Sequence, residues 1–155
     1  MKDNMYHYVE SGLDGVWLQI GAGVEFVDRP SGQTVRIKDL EGLHELIGRT
    51  LATHKKDLTG KEIRFLRKEL LLSQGVLAKL LGVAEQTVHR WEAGKAEIPK
   101  PAEALIRSLY MAKIYGANKV DLRKMLEELA DLEDELDGRM RLCRSTSSHE
   151  WTLAA

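Results

Sequence analysis

One window of this sequence, SQGVLAKLLGVAEQTVHRWEAG over residues 73–94, constrains the fold more than any other. Its apolar residues Leu77, Leu81, Val83, Val88 and Trp91 are spaced to face inward across two short helices joined by a tight turn. Ser73 can cap the first of these helices, and Gly82 supplies the positive φ at which it must stop. Ala78 is small where the second helix has to cross the first closely. Each of these size requirements answers a separate steric demand, so the pattern is specific.

The punctuation continues on both sides. Thr59 and Glu62 form a capping box ahead of Ile63, Leu66 and Leu70. A helix from about Ala84 to Glu92 is stopped by Gly94. Pro99 and Pro101 stand where a further helix begins, and that helix carries Leu105, Ile106, Leu109 and Tyr110. The expected result is an all-α domain over residues 58–115.

This arrangement resembles the helix-turn-helix of the lambda-repressor/Cro (xenobiotic-response-element) family, and the resemblance covers about residues 59–114. It implies a DNA-binding transcriptional regulator. In that family an arginine of the first helix pairs with a glutamate at the end of the recognition helix. Arg67, in LRKELLLSQ, and Glu92, in RWEAG, stand at those positions. Both are expected to be structural, because removing one partner of a buried pair strands the other charge.

The DNA contacts follow from the same resemblance. Ser73 and Gln74 open the second helix, where the family sets a side chain and a backbone amide on a phosphate, and a helix N-terminus favours an anion. The outward face of the third helix presents Glu85, Gln86, Thr87, His89 and Arg90. Gln bonds adenine, Arg bonds guanine and Glu accepts from cytosine, so Gln86 and Arg90 are the leading candidates for base contacts. Lys95 and Lys100, in the following loop, are expected on phosphates, where they set salt dependence rather than sequence. Two positions depart from the family pattern. Ala84 stands where Ser or Thr is common at the cap, and Glu85 is repelled by phosphates.

Charge is distributed to match. The 155 residues carry a net charge of −1, yet residues 55–113 hold 12 basic and 7 acidic side chains. The flanks are acidic, with 5 basic against 8 acidic residues over 1–54 and 6 against 9 over 114–155. A basic middle between acidic flanks suits a module that faces nucleic acid.

Residues 1–57 are expected to form a β-rich module. Met5–Val9, Val16–Ile20, Val24–Val27 and Val35–Lys38 are strand-like runs separated by Gly-rich and Pro-Ser-Gly turns. Gly21-Ala22-Gly23 lacks the spacing of a phosphate loop and reads as a hairpin turn. Asp39 can cap a helix with Leu40, Leu43, Ile47 and Leu51 on one stripe. His54 to Asp57 is a short linker. Residues 116–138 show an alternating seam of Leu122, Met125, Leu129, Leu132 and Leu136, read as an amphipathic helix and a possible dimer interface. Residues 139–155 are expected to be a loosely ordered tail. The fold class is therefore α+β: a small N-terminal antiparallel β module with one helix, an all-α lambda-repressor-like domain and a C-terminal amphipathic helix.

The layout of a β-rich module before a Cro-type domain also resembles the MqsA-like (YgiT-type) antitoxins, through YHYVESGL near the start and LTGKEIRFLRKEL at the junction. Those relatives hold zinc with two CxxC pairs, whereas residues 1–58 here contain no cysteine. The five histidines (His7, His44, His54, His89 and His149) show no ligand spacing. No metal or other cofactor is expected. Nothing pairs two carboxylates near a nucleophile, and Cys143 has no evident base, so an enzyme is not expected. Trp17, Trp91 and Phe26 read as core. With no long apolar run and no apolar stretch in MKDNMYHYVE, the expectation is a cytoplasmic protein with no membrane partner. The leading reading is a repressor that binds a palindromic operator in double-stranded DNA as a homodimer. Two alternatives remain: an antitoxin that binds a toxin through residues 1–54, and a protein-binding adaptor without DNA recognition.

Overall fold

The computed structural model describes residues 4–116, 134, 136 and 138–154. The chain divides into two compact units, Met1–Leu46 with Leu136–Ala155, and Ile47–Glu135. The expected amphipathic helix of residues 116–138 lies almost wholly outside the described residues, as do Leu122, Met125, Leu129 and Leu132.

The first unit is built on β1 (Met5–His7), a short 3-10 helix (Val9–Ser11), β2 (Val16–Gln19), β3 (Val24–Arg29) and β4 (Gly32–Ile37). It is completed by β5 (Met140–Arg144) and β6 (Trp151–Leu153) from the other end of the sequence. Two sheets result, one of four strands in the order β1-β2-β5-β6 and one of two strands, β3-β4. The residues expected to be a loose tail are therefore ordered strands. The reason is visible in their burial: Met140, Leu142 and Trp151 alternate with more exposed neighbours and enter the core beside Val16, Leu18 and Val24. Leu18 and Leu142 are fully buried and directly opposite in the parallel pair of β2 and β5. Trp151 also donates its indole N–H to the Lys38 carbonyl at 3.0 Å. It fits because residue 23 is glycine: a β-carbon there would stand 2.6 Å from the Trp151 ring.

Three other expectations change in this unit. Gly21-Ala22-Gly23 connects β2 of one sheet to β3 of the other and closes no hairpin. Phe26 is not core but 46% exposed: it stands on the two-stranded β3-β4 ribbon, opposite Val35 and edge-to-face with Tyr6 at 6.3 Å. Trp17 is half-buried, stacked on His7 at 4.3 Å.

Helix α1 (Leu40–His54) begins at Asp39, whose carboxylate accepts from the Gly42 amide at 3.1 Å. Leu43, Ile47 and Leu51 are buried along its inner stripe, whereas Leu40 is exposed. The division between units falls inside this helix.

The second unit continues with α2 (Gly60–Glu69), α3 (Gln74–Leu81), α4 (Glu85–Glu92) and α5 (Lys100–Tyr115). Both halves of the expected capping box are present at Thr59 and Glu62. Ile63, Leu66, Leu77, Val88 and Ile106 are fully buried and form its centre. Each such side chain contributes on the order of 1.5–3 kcal/mol of transfer free energy.

Candidate nucleic-acid interface

The two helices of the 73–94 window meet as their sizes dictate. The Ser73 hydroxyl accepts from the Val76 amide at 3.1 Å and starts α3. Gly82 ends it with φ of 69°, and the Val83 amide then donates to the Ala78 carbonyl at 3.0 Å. Leu77 and Ala78 of α3 are buried, as are Val88 and Trp91 of α4, while Leu81 and Val83 are half-buried. Ala84 precedes α4 and provides no side-chain cap.

Burying Val88 and Trp91 decides which residues α4 turns outward. Glu85, Gln86, His89 and Arg90 are exposed, and Thr87 is half-buried. Positions one, two, five and six of a helix lie within one face, so these four side chains form a continuous outer surface.

Behind that surface sits a buried ion pair. The Arg67 guanidinium donates through Nε to Glu92 Oε1 at 2.5 Å and through its Nη2 to Glu92 Oε2 at 2.9 Å. A third donor, Nη1, reaches the Leu72 carbonyl at 2.8 Å. Gln74 donates to the second Glu92 oxygen at 2.8 Å. This network joins α2, the α2–α3 turn, the first residue of α3 and the last residue of α4. Ser73, Gln74, Glu85, His89, Arg64, Arg67, Glu92 and Ala93 wall one cleft of about 500 Å³. Arg64 was not anticipated as part of it; its spacing three residues before Arg67, on the solvent side of α2, is the available signal.

The two lysines expected in the following loop differ. Lys95 is exposed just after Gly94, its amide donating to the Arg90 carbonyl at 2.9 Å. Lys100 is instead the first residue of α5, where its ammonium bonds the Asp57 carboxylate and lies 3.5 Å from Glu103. A cation in the first helical turn opposes the helix dipole, and these carboxylates offset it. The hydrogen bond from Lys100 lowers the pKa of Asp57, and the same bond raises that of Lys100. Lys100 therefore stands on the first turn of α5 rather than on a loop, ion-paired and with its side chain 64% exposed.

A second buried pair went unread in the sequence. Arg107 of α5 bonds Glu103 one turn earlier, and it donates to the carbonyls of Leu51 at 3.0 Å, Ala52 at 3.2 Å and Lys56 at 2.8 Å. It thereby closes the carboxyl end of α1, whose last carbonyls have no partner within the helix. Its signal is a charged side chain next to Ile106 on the inward stripe of α5.

Among the described residues no group of three or more His, Cys, Asp or Glu is arranged to hold a metal, and no helix is long and apolar enough to cross a membrane. The helix-turn-helix family model matches residues 63–102. No curated protein and no solved structure matches the chain.

Proposed function

From a DNA-binding helix-turn-helix of the xenobiotic-response-element type over residues 63–102, we propose that this protein is a sequence-specific transcriptional repressor that binds a palindromic operator as a homodimer. The observation that carries the reading is the outer surface of α4. Glu85, Gln86, His89 and Arg90 face solvent on a helix whose opposite side is anchored by Val88 and Trp91. Such a helix can enter the major groove without disturbing the core.

In this reading Gln86 and Arg90 make the base contacts, and each bidentate pair discriminates by about 1–3 kcal/mol. Gln74 and the first amides of α3 meet a phosphate, with Gln74 braced by Glu92. Lys95 meets a second phosphate. Lys100, 64% exposed at the start of α5 beside Asp57 and Glu103, meets a further phosphate. A single module reads few base pairs, so two copies are required, with their α4 helices about 34 Å apart. Repression follows by occupying DNA that a polymerase needs.

The test is selection of bound DNA from a random duplex pool, using the native chain and Arg90→Ala. The expected result is a palindromic consensus that relaxes at one position per half-site in the variant. Absence of enrichment with the native chain would overturn the reading.

A further inference from the structure

Glu85 is the one acidic side chain on the outer surface of α4, and it is folded back rather than extended. Its carboxylate oxygens lie 3.3 and 3.7 Å from the point where a β-carbon on Gly75 would stand. The carboxylate thus rests against the first turn of α3 beside Gly75, close enough that a β-carbon there would touch it. Glu85 is also part of the wall of the 500 Å³ cleft. Within the walls of that cleft Arg67 and Glu92 neutralise each other through two hydrogen bonds. Arg64 and Glu85 are then its remaining permanent charges, and they cancel.

We propose that Glu85 is a specificity residue that works by exclusion. It holds a negative charge where the DNA backbone approaches α3, which weakens binding to every duplex alike. Only a duplex that offers a base-edge donor to the carboxylate, such as the amino group of cytosine, recovers the loss. Discrimination built on a penalty against wrong partners needs no extra attraction to the right one. The inference rests on the reading of α4 as the recognition helix. It differs from a simple base contact because it assigns Glu85 an effect on DNA of random sequence.

The experiment compares the native chain, Glu85→Gln and Gly75→Ala on a duplex of random sequence and on the duplex selected by the native chain, over a series of salt concentrations. Glu85→Gln keeps the shape and removes the charge. It is expected to tighten random-sequence binding about fivefold at low salt, the size of one unit-charge repulsion in water at contact distance. The slope of log K against log salt is expected to steepen by about 0.9. The ratio of selected to random affinity falls accordingly. Gly75→Ala leaves the charge in place and asks the carboxylate to shift by only a few tenths of an ångström, so random-sequence binding is expected to stay within about twofold of the native chain. Unchanged or weaker random-sequence binding by Glu85→Gln overturns the inference, and so does a gain from Gly75→Ala as large as that of Glu85→Gln, which would assign the effect to shape rather than charge. A native chain that binds neither duplex overturns the proposed function itself, a distinct result.

Discussion

The two units of this protein solve the same problem, closing a small core, in opposite ways. The helical unit is assembled from neighbours in sequence: each of α2 to α5 is started or stopped by residues within a few positions of its ends. Its longer links are the buried Arg67–Glu92 pair and the bonds from Arg107, itself paired with Glu103 one turn away, to the carbonyls at the end of α1 and just after it. The β unit has no buried ion pair among its described residues, and its closure depends on β2 pairing with β5 from the far end of the chain. Local punctuation with ionic clamps holds one unit, and distant apolar strand pairing holds the other. Their weak points should therefore differ in kind.

The largest effect is expected at the clamp. Arg107→Ala removes the shorter of the two ion pairs of buried Glu103 and leaves the carbonyls of Leu51, Ala52 and Lys56 without that donor. Loss of one partner of a buried pair costs about 3–5 kcal/mol. Urea unfolding of the full chain would show it as a lower midpoint. The comparison is sharpened by Arg107→Met combined with Glu103→Leu, which should lose less than the single change, since no isolated charge remains buried. A double variant as unstable as Arg107→Ala would mean that the carbonyl bonds, not the ion pair, carry the stability.

In the β unit the corresponding break is apolar. Leu142→Ala empties a fully buried site opposite Leu18 and should cost about 2–5 kcal/mol. Hydrogen exchange locates the damage: amides of Val16–Gln19 should lose protection although they are far from residue 142 in sequence. Protection lost only within β5 and β6 would contradict the closure described here.

That contrast also explains what the sequence could and could not disclose. Caps, the αL turn at Gly82 and the inward residues Leu77, Val88 and Trp91 are short-range signals, and so the helices of the second unit were legible nearly to their ends. The strands of the first unit were legible one by one, as runs of Val, Ile and aromatic residues. Their grouping was not, because nothing in MRLCR or WTL names its partner strand. Phe26 was misjudged for the same reason: its burial depends on whether a layer covers β3, which is a property of the assembly and not of the run. The candidate site divides similarly. The outward residues of α4 follow from helical periodicity. Lys100 does not, since its engagement with Asp57 depends on the packing of two separate segments.

The smallest predictions form a reciprocal pair within the helical unit, where local punctuation should be adjustable without harm to the core. Adjacent helices end in the same left-handed conformation, α3 at Gly82 with φ of 69° and α2 just before Leu71 with φ of 58°. Only the first has the residue that this conformation favours. Gly82→Ala meets nothing within 4 Å, so its cost is purely conformational, about 1 kcal/mol of destabilisation. Leu71→Gly reverses the sign. Leu71 is 87% exposed, so little burial is lost, and the cap does not use its side chain: the Leu71 amide donates to the Lys68 carbonyl at 2.9 Å and the Leu72 amide to the Arg67 carbonyl at 3.2 Å. Relief of about 1–2 kcal/mol of left-handed strain is opposed by roughly 0.5–1 kcal/mol of added freedom in the unfolded chain. A net gain of about 0.5 kcal/mol is expected, read as a higher urea midpoint at unchanged m. A loss instead would show that Leu71 contributes apolar contact to the native state, and that the turn ahead of α3 is held by packing rather than by its backbone.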